Sequence, residues 1–126
     1  MEGFDKIELA QDILEEDLGD LLENILFDFE IPRFTATLVD RTKIIIRYNN
    51  YDEYAYFIIF SESLLDRCLF DNYDQRWEVE SSPHHFHPRF SKPAFSSPMN
   101  GNPELDIRLL CELIQSGSIF SSDLRF

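Results

Sequence analysis

From Asp5 to Leu26 the apolar residues recur at helical spacing. Ile7, Leu14, Leu18, Leu21 and Ile25 fall on one narrow stripe, and Asp5, Glu8, Asp12, Glu15, Glu16 and Glu23 fall on the other side. The spacing predicts an acidic helix within residues 1–31, about 33 Å long at ~1.5 Å per residue, with Gly19 as the place for a kink or break. After Pro32 the period becomes two: Phe34, Ala36 and Leu38 alternate with Thr35 and Thr37, the pattern of a half-buried strand. A turn at Asp40 to Thr42 leads into Lys43 to Asn49, where Ile44, Ile46 and Tyr48 share one face and Lys43, Ile45 and Arg47 the other. The run YAYFIIF within Glu53 to Ser61 is apolar on both faces and fits a central strand. Leu65 to Asp71 reads as a fourth strand with Arg67, Leu69 and Asp71 on one face. Short connections between these strands predict an antiparallel meander of four or five strands over residues 32–72.

The pattern then lapses. Pro83, Pro88, Pro93 and Pro98 recur every five residues, each removing a backbone donor, so residues 73–101 are expected to form a long loop with at most short edge strands. A loop of that length in a compact domain is usually functional or mobile. A closing helix over residues 102–117 is signposted by Asn102 as N-cap, Pro103 at its first position and Gly117 past its end. Its wide apolar face (Leu105, Leu109, Leu110, Leu113, Ile114) is expected to lie on the sheet, and the tail 118–126 either docks through Phe120 or frays. The elements together predict one α+β domain.

Charge changes the picture more than length does. The 126 residues carry 24 acids against 11 Lys and Arg, a net of −13, which excludes a generally basic nucleic-acid grip. Residues 1–31 hold eleven of the acids and one base, Lys6, leaving thirteen acids and ten bases for the remainder. Between Ser81 and Gly101 there is no acid, and all three histidines lie there. The acidic helix is most simply a solvated face, or else a surface for a basic partner. Cys68 and Cys111 form no CxxC pair and sit among apolar neighbours, as reduced core residues do. No 18-residue apolar run and no signal-like N-terminus occur, so a cytoplasmic protein without a membrane contact is expected.

Candidate chemistry concentrates in SSPHHFHPRF, residues 81–90. If Phe86 is extended, His85 and His87 project to one side and His84 to the other. Imidazoles exchange protons near neutrality, hold phosphate as cations or bind metal as neutral rings, and buried structural histidines are the bland alternative. His85 and His87 with Asp71 make a two-histidine, one-carboxylate set, although the spacing matches no common zinc signature, so no cofactor is expected. In LFDNYDQ, residues 69–75, Asp71 and Asn72 either close the strand through backbone hydrogen bonds or orient a histidine. Arg67 shares the face of Asp71, and Lys43 and Arg47 extend that face into a small cationic patch. Motifs for nucleotide binding, serine hydrolysis and zincin chemistry are missing.

LFDNYDQ, the proline-led histidines and the closing helix, preceded by the tyrosine-rich YDEYAYFIIF, resemble the small TumE-like family of prokaryotic toxin–antitoxin proteins over about residues 53–117. The Asp-Asn of that family's Arg-aromatic-Asp-Asn element falls on Asp71 and Asn72, and its histidine run on Pro83, His84, His85 and His87; Leu69 stands where the pattern has arginine. The resemblance implies a toxin with a cognate antitoxin as partner, acting by RNA cleavage or by interference with translation, its oligomeric state open and a homodimer included. On that reading the enzyme is a ribonuclease-like phosphodiesterase. His85 and His87 exchange protons with the substrate without metal, Asp71 orients one of them, and Arg67 and Arg89 neutralise the phosphate, with His84, Asn72 and Arg47 as further substrate contacts. The rivals are a non-enzymatic module whose acidic helix engages a basic protein, and a metal-binding domain built on Asp71, His85 and His87.

Overall fold

Gly19 ends the first helix eight residues before the expected boundary at Leu26. In a computed structural model of the chain, which describes residues 1–73 and 76–126, α1 runs Gly3–Leu18 and Gly19 takes φ +52°, a conformation that residues with a Cβ avoid. One tight turn, Gly19–Leu21, then feeds β1, Leu22–Asp28. The helix is therefore about 24 Å long at ~1.5 Å per residue. Leu21 is exposed, and Ile25 belongs to a strand, where it pairs with Ala36. The 3.6 spacing of those two residues is coincidental, because Ile25 and Phe27 equally satisfy a period of two.

The next three strands follow the alternation closely: β2 Arg33–Leu38, β3 Lys43–Tyr48 and β4 Tyr54–Ile59. β5 is Arg67–Asp71, and two short strands, β6 His85–His87 and β7 Phe95–Ser96, arise inside the proline-rich segment. Among the described residues these form one antiparallel sheet of seven strands in sequential order, not four or five. The extra members are β1, concealed by its helix-like spacing, and the two edge pieces at the other end. Asp74 and Gln75 of LFDNYDQ lie outside the described residues.

One sheet face carries Phe34, Ala36, Ile44, Ile46, Tyr48, Tyr54, Tyr56, Ile58, Cys68, Phe70 and Phe86, all buried in a core shared with the helices. α1 meets this face at β3 through Ile7, Ala10, Ile13, Leu14 and Leu18. The closing helix α2, Pro103–Gln115, starts where expected, with Asn102 Oδ1 accepting from Glu104 N at 3.0 Å. It packs chiefly along α1 and only secondarily on the sheet, and Arg108 bridges the pair by donating to Asp17 at 3.0 Å. Gly117, at φ +81°, turns the chain into Ser118–Phe120, and Phe120 docks against Phe60 at 5.5 Å between ring centres. Cys68 and Cys111 are buried free thiols, and burial pushes both up to about 12. Among the described residues no helix is long and apolar enough to cross a membrane.

Candidate functional site

The two helices lie on one side of the sheet, and the alternation of each strand places its remaining side chains on the other. Cross-strand register arranges these in rows. One row reads Arg33, Arg47, Ala55, Asp71, His85 from β2 to β6, and the next reads Thr35, Ile45, Phe57, Leu69, His87. A third carries Thr37, Lys43, Ile59 and Arg67. Thr35, Ile45, Phe57, Ile59 and Leu69 are half-buried where their neighbours on the core face are fully buried. This open face thus combines a shallow apolar floor with Arg33, Lys43, Arg47 and Arg67. The carboxylates beside them are paired, Asp28 with Arg33 at 2.7 Å and Asp71 with His85.

At the β5–β6 end the face becomes a site. Asp71 and His85 are directly opposite in register, with His85 Nε2 2.6 Å from Asp71 Oδ1. His85 Nδ1 lies 3.0 Å from the Pro83 carbonyl and His87 Nδ1 3.1 Å from the Lys92 carbonyl. A carbonyl oxygen only accepts, so each Nδ1 carries the hydrogen and each Nε2 is the position that takes a proton or an ion. One donor atom from each of Asp71, His85 and His87 lies within 4.8 Å of the others. The two imidazoles meet edge to face with centres 5.0 Å apart, and Trp77 stands 5.2 Å from His87. His85 and Asp71 are buried, whereas half-buried His87 borders a cavity of about 340 Å³ lined also by Arg67, Leu69, Arg76, Trp77 and Lys92.

The expected site residues therefore divide. Asp71, His85 and His87 come together, and Arg67 lines the cavity that His87 borders. Arg47 sits two strands away in the Asp71 row, its guanidinium 5.0 Å from the Tyr73 ring, and lines a second hollow with Arg33 and Arg67. His84 turns to the opposite face, where its Nδ1 is 2.8 Å from the Tyr54 hydroxyl and its ring stacks on Tyr54. Asn72 is a strand-end clamp: its Oδ1 accepts from Tyr54 N at 3.0 Å and its Nδ2 donates to Asp52 O at 2.9 Å. Arg89 is committed to Asp66 and to the Phe120 carbonyl, 2.6 Å away, and its guanidinium covers Phe60. These three residues hold the fold and do not meet at the site.

Sequence reasoning missed Arg33, Arg76, Trp77 and Lys92. Arg33 carried a signal, being in phase with Thr35 and Thr37. The other three sit in irregular chain whose path no periodicity reveals. The division of labour between the histidines also needed the structure. With Nδ1 on Pro83 and Nε2 against Asp71, His85 has no nitrogen facing the cavity, which leaves His87 as the imidazole bordering it.

The fold and site define a one-layer sheet with helices on one face and a cationic, histidine-bearing surface on the other. Family models, curated proteins and solved structures give no match to this chain.

Proposed function

We propose that the chain is a TumE-like toxin component that binds and cleaves RNA on the open face of its sheet. The observation that carries this reading is the convergence of Asp71, His85 and His87, the last of which borders a cavity lined also by Arg67, Arg76 and Lys92. Positive side chains neutralise a phosphodiester as its charge grows in the transition state, and a proton-accepting group beside them activates the attacking hydroxyl. The 2′-oxygen forms its bond to phosphorus as the bond to O5′ breaks, one proton leaving the 2′-hydroxyl and one reaching O5′. The half-buried apolar floor, with Phe57, accommodates unpaired bases, which stack on aromatic and apolar surface independently of sequence. Net charge of −13 is compatible with this because the two acids beside the cations of that face, Asp28 and Asp71, are paired, and Asp5, Glu8, Asp12, Glu15 and Glu16 are on α1, on the helix side of the sheet. That acidic surface suits a basic antitoxin, while Glu23, on β1, is not part of it.

The test is cleavage of single-stranded RNA by purified protein, together with growth after induction, for the natural chain and for His85→Ala/His87→Ala. Loss of both effects in a variant that still melts cooperatively supports the reading. Unchanged cleavage and unchanged toxicity reject it.

A further inference from the structure

Neither nitrogen of His85 is placed to exchange a proton with a substrate, yet the ring is almost wholly enclosed, at 1% exposure. Its Nε2 lies 2.6 Å from Asp71 Oδ1 but out of line for a hydrogen bond, so the atom is buried without one. A buried imidazole nitrogen without a hydrogen bond, beside a carboxylate oxygen, is the arrangement of two ligands facing a common ion. We propose that Asp71, His85 and His87 bind one divalent transition-metal ion of the zinc class, through a carboxylate oxygen and the two Nε2 atoms.

Four features carry the proposal. The donor set, two imidazoles and a carboxylate, is the type that first-row divalent ions take when positions must remain open for water or substrate. Both imidazoles donate Nδ1–H to a backbone carbonyl, Pro83 and Lys92, which fixes the tautomer and directs the Nε2 lone pair, as the outer contacts of metal-ligating histidines do. The set is built by register: alternation puts His85 and His87 on one face of β6, and antiparallel pairing puts Asp71 opposite His85. Donors each ~2.1 Å from an ion sit roughly 3–3.5 Å apart. The group here lies within 4.8 Å, with Asp71 and His85 already 2.6 Å apart, so His87, the least enclosed of the three, is the ligand that moves to close on the ion. Two ligands are thus fixed in the interior and the third borders the cavity, so vacant coordination positions face the space where Arg67, Arg76 and Lys92 collect.

This rests on the same site as the RNA reading and changes its chemistry. A bound ion polarises a phosphoryl oxygen and acidifies its own water, replacing the imidazoles as the reactive centre. With the Asp71 carboxylate it leaves a net positive centre, which adds to the attraction of the neighbouring cations for a phosphate.

The experiment is titration of the chelator-stripped, full-length chain with Zn²⁺ by calorimetry and with Co²⁺ by visible absorption, whose ligand-field bands report nitrogen and oxygen coordination. The expected result is one ion per chain, with affinity at least tenfold weaker in His87→Ala and in Asp71→Asn, and unchanged in His84→Gln, whose ring faces the other side of the sheet. His87 is half-buried, so His87→Ala retains the fold even if His85 variants do not; circular dichroism checks this. Absence of saturable binding overturns the proposal, as does equal binding by the natural chain and a folded His87→Ala. RNA assays separate the two readings: metal binding without cleavage leaves this site standing and removes the RNA function. Cleavage that persists, undiminished, in chelator-stripped protein that shows no saturable ion binding does the reverse.

Discussion

The Tyr56 hydroxyl donates to Asp106 Oδ2 at 2.7 Å, joining the middle of the sheet to a carboxylate on α2 that is only 2% exposed. The same carboxylate accepts from Gly101 N at 2.7 Å and from Asn100 N at 3.1 Å, and the Tyr48 hydroxyl is 2.9 Å from that of Tyr56. One buried acid therefore fixes the entry to the closing helix, the loop before it and two core tyrosines.

Replacing Asp106 with Ala leaves these donors without an acceptor, at a cost of about 3 kcal/mol in urea unfolding. The pH dependence has a definite sign. Burial raises the Asp106 carboxyl above its ordinary 3.8, against the pull of Tyr56 and the two backbone donors. The folded state thus holds this proton more tightly than the unfolded chain, so the contribution is complete in acid and declines as pH rises through the raised value. Relative to Asp106→Asn, the natural protein should gain stability on acidification from neutral pH; a difference independent of pH would contradict this.

Asp66 has the opposite sign. The Arg89 guanidinium holds its carboxyl below the ordinary 3.8, with the Ser61 hydroxyl assisting and burial opposing. Its contribution is present at neutral pH and is lost as pH falls below the unfolded value toward the lowered one. Asp66→Asn should lower the melting temperature at neutral pH and flatten the loss of stability in acid. Arg89→Ala should do the same and also release the Phe120 end of the chain, read as faster proteolysis there.

Gly19→Ala tests the helix-to-strand switch. A Cβ at this position meets nothing within 4 Å, so the penalty is purely conformational, arising from φ +52°. About 1–2 kcal/mol of destabilisation is expected, with RNA binding intact.

Arg47→Ala and Arg67→Ala test the cationic face without touching the three clustered residues. Removing one side chain that neutralises a phosphate of a single strand reduces the slope of log affinity against log salt by about 0.7. Slopes unchanged in both variants would place the nucleic acid elsewhere.

Elements with one unambiguous period are legible before any coordinates. β2 and β3 alternate strictly, and α2 carries its own cap in Asn102 and its stop in Gly117. β1 escapes such a reading because Leu18, Leu21 and Ile25 also fit a helix, and only the backbone conformation at Gly19 decides between the two patterns. The packing of α2 on α1 depends on contacts between distant segments, and β6 and β7 are too short for an alternation to announce them. Within the candidate site, the shared side of His85 and His87 follows from alternation alone. The diversion of Asn72, His84 and Arg89 to structural roles does not, because each is claimed by a partner far along the chain: Tyr54 for the first two, Asp66 and Phe120 for the third.

The sequence by itself determined the α+β class, the concentration of acids in the first 31 residues, and an acid-free histidine segment, since composition and periodicity are local properties. Only the tertiary structure decided that Asp71 stands opposite His85 and that the carbonyls of Pro83 and Lys92 orient two imidazoles. It alone placed the cations of separated segments along one open face. Register between strands is set by how side chains pack across a whole sheet, so residues far apart in the chain meet only once every neighbouring pair has been placed.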